Sequence, residues 1–293
     1  VIAKRIERYL TSARIQERLK FLDAKEAALK NFNPPIKRIA YFCAGCPHNS
    51  STKVPEGSMA MAGIGCHTLA IGMDRNTKTF THMGAEGAPW VGARHFSDMP
   101  HVFQNMGDGT YFHSGYLAVR QAAAVNANIT YKILYNDAVA MTGGQPLEGT
   151  LTVAQLVGQL AAEGLTRIEV VADATEARKI GALPAGVHVR PRGELEVVQR
   201  SLRETEGTTA LIYVQTCAAE KRRRRKRGTF PDPNRRVFIN EAVCEGCGDC
   251  STQSNCLSVV PQETEFGRKR AIDQSSCNKD LTCIEGFCPS FVT

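Results

Sequence analysis

Apolar runs and helical patterns alternate along most of this chain. The pattern predicts strands over 38–42, 58–64, 102–106, 130–135, 167–171 and 210–215. Apolar positions at helical spacing predict helices over 111–127, 153–163 and 194–204. Strands separated by helices imply parallel pairing through crossovers, an α/β layer fold. Upstream, residues 1–30 are rich in helix formers, with Ile2, Ile6, Tyr9, Leu10 and Ala13 near helical spacing. Asn33-Pro34-Pro35 ends that pattern, because proline cannot continue a helix.

Composition narrows the class. The chain has 293 residues, 43% hydrophobic and 22% charged, which fits about two globular domains and excludes a disordered chain. The longest small-and-apolar stretch, 58–73, is interrupted by glycines and His67, so no run reaches the ~18 apolar residues of a membrane span. The formal charge is +7, and residues 221–227 are seven consecutive basic residues. The remainder is therefore neutral, which argues against a broad nucleic-acid-binding face. There are 11 cysteines. An odd total in a chain of this size fits metal or cluster ligation in a reducing cytoplasm better than a disulfide scaffold. With no initiator Met and no secretory leader pattern, the expectation is an internal piece of a longer cytoplasmic polypeptide.

The strand over 102–106 runs into Gly107-Asp108-Gly109-Thr110 and then a helix. Glycines at such a turn let the backbone approach a phosphate, whose charge the helix N-terminus favours. A bare GDG is usually only a turn. Here Asn136 follows 28 residues later, at the end of the next predicted strand. The Asp108 carboxylate and Asn136 carbonyl suit Mg²⁺, with the Ala138 backbone carbonyl a third ligand and phosphate oxygens completing the shell. This pairing resembles the signature of thiamine diphosphate enzymes.

The cysteines fall into sets. Cys43 and Cys46 form a CxxC pair, Cys66 lies in a GIGCH segment and Cys217 follows the last strand, so parallel topology would bring all four to one sheet edge. Four thiolates suit zinc or an iron–sulfur cluster, the alternative being that Cys66 and Cys217 are ordinary buried cysteines. Cys244, Cys247 and Cys250 have C-x2-C-x2-C spacing, the loop that wraps three corners of a [4Fe–4S] cube. Cys288, followed by Pro289, supplies the fourth. Cys277 and Cys283 repeat that spacing with Asp280 in the middle, and Cys256 completes the set. Either Asp280 ligates iron there, or this half is empty and its cysteines are structural.

The segments FCAGCPHN, GIGCH, THMGAEG, QNMGDGTYFHSG, YNDAVAMTGGQP, QTCAAEKRRRRKRGTFPDP, CEGCGDC and QSSCNKD together resemble the fused indolepyruvate ferredoxin oxidoreductases, within the 2-oxoacid:ferredoxin oxidoreductase superfamily. Composition divides off a linking helix at 1–36 and a basic linker at 221–236, and the resemblance, which does not cover the opening helix, implies a parallel-sheet thiamine diphosphate-binding domain at 37–220 and a ferredoxin-like α+β module at 237–293. It implies cofactor contacts from Gly65, Cys66, Gly107, Asp108, Gly109, Thr110, Asn136, Ala138, Met141 and Thr142, and two or three [4Fe–4S] clusters. It also implies oxidative decarboxylation of an aryl pyruvate to an arylacetyl-CoA, with electrons passing singly to ferredoxin.

His67, His82 and His113 are candidates for catalytic contacts, each weighed against an ordinary structural role, and Glu86 is similar. The glutamate that activates the aminopyrimidine would come from a domain elsewhere in the full chain or a partner, and a homo-oligomer is expected. The basic run reads as a solvated linker, or as a dock for acidic ferredoxin or the phosphates of coenzyme A. Nucleic-acid binding lacks interleaved aromatics. The competing functions are an electron-transfer iron–sulfur protein without thiamine chemistry, and a zinc-bound nucleic-acid module.

Overall fold

A strand apolar at almost every position must be covered on both faces, as in sheets built from crossover helices. The longest such runs form the centre of one parallel sheet. The structure, a computed structural model, describes residues 2–6, 9, 12–30, 39–147, 149 and 151–293, in two units, Val1–Ala40 and Tyr41–Thr293. In the first, α1 (Ile2–Ile6) and α2 (Ala13–Lys30) are helical, and α2 buries none of its residues. Asn33-Pro34-Pro35 lies outside the described residues.

In the second unit one sheet is built from β1 (Ala60–Met61), β2 (Thr77–Lys78), β3 (Val102–Gly107), β4 (Ile129–Tyr135), β5 (Arg167–Ala172), β6 (Val189–Pro191) and β7 (Thr208–Val214). All pair in parallel, in the order β2-β1-β3-β4-β7-β5-β6. Its helices are α3 (His48–Ser51), α4 (Ala88–Ala93), α5 (Asp108–Thr110), α6 (Tyr116–Ala124), α7 (Val153–Ala162), α8 (Ala174–Ala177), α9 (Leu195–Arg203) and α10 (Ala218–Lys226). Ile129, Tyr131 and Ile133 of β4 pack with Val119, Leu156 and Leu160 of α6 and α7. On the opposite face Leu134, Leu211 and Tyr213 pack with Leu195, Val198 and Leu202 of α9. This is the period-2 alternation of a sheet covered on both sides. Helix α7 starts where Thr152 and Gln155 cap each other's backbone N–H groups.

Residues 237–293 form a small α+β segment. It contains β8 (Phe238–Ile239), α11 (Asp249–Ser254), the hairpin β9 (Val259–Thr264) and β10 (Gly267–Ile272), and β11 (Phe291–Val292) paired with β8. Among the described residues, no helix is long and apolar enough to cross a membrane.

Several local expectations are corrected. Residues 39–43 form no strand; Phe42 is buried against Ala70, Cys46 and Ala218, so the run serves one ring rather than a ladder. The strand predicted over 58–64 keeps only Ala60–Met61, because the glycines after it turn the chain into a 3₁₀ helix, Cys66–Gly72. The helix predicted over 111–127 opens as a π turn, Tyr111–Gly115, and ends at Ala124. Residues 221–226 lie in helix α10 rather than a linker, since Glu220 and several carbonyls engage their charges.

One buried cation should set a pH dependence. Lys132 of β4 is fully buried and donates to Gln199 Oε1 at 2.7 Å and the Lys53 carbonyl at 2.9 Å. Burial pushes its ammonium down to about 7, against about 10.4 unfolded. The unfolded chain therefore binds the extra proton between those values, and stability rises with pH across that window. Lys132→Met should flatten the rise in a melting-temperature series from pH 7 to 10; an unchanged slope would contradict the assignment.

Candidate functional site

The loops after β1 and after β3 lead in opposite directions along the sheet, since β1 is followed by β2 on one side and β3 by β4 on the other. Such a switch leaves a crevice at the strands' carboxyl ends. Gly63–His67 and Gly107–Thr110 both fall there.

Asp108 is the anchor. It is buried, and its Oδ1 accepts from Gly109 N at 2.9 Å while Oδ2 accepts from Asn136 N at 3.1 Å and Asp137 N at 3.0 Å. Three of the roughly four acceptor positions of a carboxylate are thus filled. Burial pushes its carboxyl up to about 6, against the opposing pull of those N–H groups. Asn136 is buried and its Oδ1 has no partner in the protein. An unpartnered amide oxygen beside a buried carboxylate with one position left fits a hard divalent cation. Ala138 is buried, following Asp137 in the left-handed region at φ 56°. Among the described residues, no three His, Cys, Asp or Glu side chains converge on a single metal ion.

Above the turn lies a buried polar cluster. A Cβ on Gly63 would meet Asn105 O at 2.4 Å, His67 Nε2 at 2.9 Å and Glu86 Cγ at 3.1 Å, so glycine is required for the three to meet. His67 is 2% exposed, its Nε2 lacks a partner, and its ring packs edge-on to His48 at 5.6 Å. Burial, then the neighbouring His48, pushes it down to about 3, so it is neutral. Glu86 is fully buried and its Oε2 accepts from Gly84 N at 2.7 Å.

Asn105 of β3, two residues before Gly107, has both amide atoms buried and unpartnered. Sequence reasoning missed it, although the polar pair Gln104-Asn105 inside a buried strand is a legible signal. His82 and His113 are exposed, on segments that touch where Gly84 meets Ser114. Met141 and Thr142 are exposed, in the loop after Asn136. Thr110 is buried, and a Cβ on Gly109 would meet Leu147 at 2.9 Å.

All eleven cysteines are free thiols. Burial raises the Cys46 thiol well above its ordinary value, and Cys43, Cys66 and Cys217 are near enough to add to the rise. Burial, reinforced by Cys217 and Cys43, pushes Cys66 up to about 11. These four therefore share one neighbourhood. Cys66 opens the 3₁₀ helix rather than ending a strand, and Cys217 precedes α10, its N–H donating to the Asn136 carbonyl at 3.0 Å. In the small segment Cys250 feels Cys288. Burial with the nearby Cys256, Cys277 and Cys250 pushes Cys283 up to about 12.

Asp280, for which iron ligation and an empty half were the two expectations, is held in an ion pair. Its Oδ1 accepts from Arg192 Nη1 at 2.7 Å and Gln215 Nε2 at 2.9 Å, and its Oδ2 from Arg192 Nη2 at 3.0 Å and Thr282 Oγ1 at 2.7 Å. Those four bonds fill the carboxylate. It serves as a buried counter-ion.

A parallel sheet with a glycine–aspartate turn and an unpartnered asparagine at its switch point defines a diphosphate-binding α/β domain of the thiamine-dependent kind. The chain belongs to the thiamine pyrophosphate enzymes, matching their C-terminal TPP binding domain over residues 63–212. It is 26% identical over 281 residues to the indolepyruvate oxidoreductase subunit IorA of Thermococcus kodakarensis, covering 87% of this chain and 40% of that protein. The IorA subunit of Methanothermobacter marburgensis is 25% identical over 260 residues, covering 85% and 38%. The chain thus spans about two fifths of the length of the curated relatives it matches. A solved 2-oxoglutarate:ferredoxin oxidoreductase from Magnetococcus marinus, with 2-oxoglutarate, coenzyme A and succinyl-CoA bound, aligns at 19% identity with a TM-score of 0.46, covering 69% of each chain.

Proposed function

We propose that this chain is the cofactor- and cluster-bearing part of an enzyme that oxidatively decarboxylates an aryl 2-oxoacid such as indolepyruvate. The acyl group would pass to coenzyme A and the electrons, singly, to ferredoxin. One observation carries the reading: the buried Asp108 with the unpartnered Asn136 oxygen shares a sheet edge with four grouped free thiols. Cys66 adjoins His67, whose ring would touch a Cβ at Gly107.

Asp108, Asn136 and the Ala138 carbonyl would hold Mg²⁺, with the N–H groups of the Gly107–Thr110 turn facing the diphosphate. Thiamine diphosphate, when bound, supplies carbanion chemistry at the 2-oxo carbon. The protein's part is placement. Asn105, Glu86 and neutral His67 form a buried polar cluster around Gly63 that carries no positive charge. The glutamate that activates the aminopyrimidine would belong to a domain beyond these residues. The relatives' names support the aryl substrate.

Cys43, Cys46, Cys66 and Cys217 would hold one [4Fe–4S] cluster, and Cys244, Cys247, Cys250 and Cys288 a second, in a ferredoxin-like module. Cys256, Cys277 and Cys283 form a third set with three thiols only. The test is iron, sulfide and thiamine analysis of the full-length protein purified without oxygen. Two cubanes give about eight irons per chain; a count near twelve would return Asp280, or another group, to the ligand list. Cys43→Ser should lose about four irons and leave thiamine diphosphate affinity within about twofold. Unchanged iron in that variant would make the first set structural.

A further inference from the structure

We infer that Arg223 and Arg224 of the basic helix α10 act as a latch on the cofactor loop, residues 137–145, and that thiamine diphosphate affinity depends on its closure. The inference rests on the thiamine reading above. The loop leaves β4 at Asn136, carries the Ala138 carbonyl, and turns back through a bridge between Val139 and Gln145. Internally it is held by Val139 N to Gln145 O at 2.8 Å and Gly144 N to Val139 O at 2.9 Å. Its turn residues are exposed, Met141 by 55%.

Apart from the Asp137 N–H bonded to Asp108, the hydrogen bonds joining this loop to another element, among the described residues, come from α10. Arg224 Nη1 donates to Asp137 Oδ2 at 2.7 Å and Nη2 to the Asp137 carbonyl at 3.4 Å. Arg223 donates to the carbonyls of Gly143 and Gly144. Glu220, one turn earlier, orients both guanidinium groups through Oε2 to Arg223 at 2.8 Å and Oε1 to Arg224 at 3.1 Å. A Cβ on Gly144, already at φ +83°, would lie 2.7 Å from Arg223 Nη1, so the close approach needs glycine there. The planar fork of arginine suits paired contacts of this kind.

Asp137 sits between two of the proposed Mg²⁺ contacts, the Asn136 amide and the Ala138 carbonyl. Fixing Asp137 from outside therefore fixes both donors before the cofactor arrives, and the ordering cost is met in advance. The same helix starts at Cys217, whose N–H is bonded to the Asn136 carbonyl. Arg222 and Arg225 point elsewhere, to Ser275 O and Asn278 O.

The experiment uses the full-length protein with its clusters intact, stripped of thiamine diphosphate and titrated with it in excess Mg²⁺ by calorimetry. Arg224→Gln and Asp137→Asn should each weaken binding about tenfold, and the double variant no more than either alone, because they break one contact. Arg222→Gln removes the same charge from the same helix and should bind within about twofold of wild type. In the stripped protein the Val139 and Gly144 amides should exchange faster in Arg224→Gln than in wild type, with cluster absorbance retained as proof of folding.

Wild-type affinity in Arg224→Gln and Asp137→Asn would overturn the latch. So would equal losses in Arg222→Gln and Arg224→Gln, which would show general attraction of an anion, or fully additive losses in the double variant. Failure of the wild-type protein itself to bind thiamine diphosphate would instead overturn the functional reading on which the latch rests.

Discussion

Asp108→Ala should abolish thiamine diphosphate binding, with iron content unchanged. The carboxylate accepts three backbone N–H groups, from Gly109, Asn136 and Asp137. These belong to the two segments that meet at the site, so one side chain fixes the turn after β3 relative to the end of β4. Alanine leaves all three donors without that acceptor, at about 1–3 kcal/mol for each one that stays buried. It also removes the only carboxylate inside the turn. Losing the proposed cation ligand together with the joint should weaken cofactor binding by at least about a hundredfold, or about 2.7 kcal/mol. Asp108→Asn keeps the shape but turns one acceptor into a donor facing backbone N–H groups, so it should fall close to alanine. Retention of the cofactor by Asp108→Ala would remove this residue from the site.

Legibility in the sequence followed the range of the interaction. The strands expected over 130–135 and 167–171 form as β4 and β5, because burial on both faces keeps most of their positions apolar, although Lys132 and Glu169 interrupt the pattern. Helices α7 and α9 read correctly because their apolar positions repeat at helical spacing. The 28-residue step from Asp108 to Asn136 is one strand–helix–strand unit, so the motif alone could place both at one sheet edge. Glycine-rich 63–65 misled, since a short apolar run followed by glycines does not reveal where pairing stops. The basic run misled for another reason. Seven like charges read as solvated, yet Arg223, Arg224 and Arg225 are met by Glu220, Asp137 and the carbonyls of Gly143 and Asn278. Glu220 is a local helical neighbour, but the other partners lie 53 to 87 residues away, and no local pattern records them. Asp280 is the sharpest case. Its spacing from Cys277 and Cys283 marks it as a ligand, whereas Arg192, 88 residues upstream, claims both its oxygens.

That claim makes Asp280 the second site of large expected effect, on stability. Arg192 and Asp280 form a two-pronged ion pair with side chains only 13% and 7% exposed. Arg192 also reaches Ser50 Oγ at 2.9 Å and Asp280 also holds Gln215 and Thr282. The pair therefore joins α3, the turn after β6, the residue after β7, and the cysteine segment. A Cβ at Gly45, inside the Cys43–Cys46 loop, would sit 3.0 Å from Asp280 Cβ, so the first cysteine set packs directly on this joint. Asp280→Ala leaves a buried guanidinium without its counter-ion, which should cost about 3–5 kcal/mol, or a melting temperature lower by roughly 10 °C.

Burial alone would raise the Asp280 carboxyl, but Arg192 outweighs it and holds the group below its ordinary value. A depressed folded value means the contribution is complete above about pH 4 and is lost only as pH falls through the folded value in stronger acid. The gap between wild type and Asp280→Ala should thus stay constant from pH 5 to 8, and close below about pH 4. Iron per folded chain should not change in Asp280→Ala, and Asp280→Cys should add none while lowering stability. A fall in iron on alanine substitution, or a gain with cysteine, would make Asp280 a cluster ligand after all.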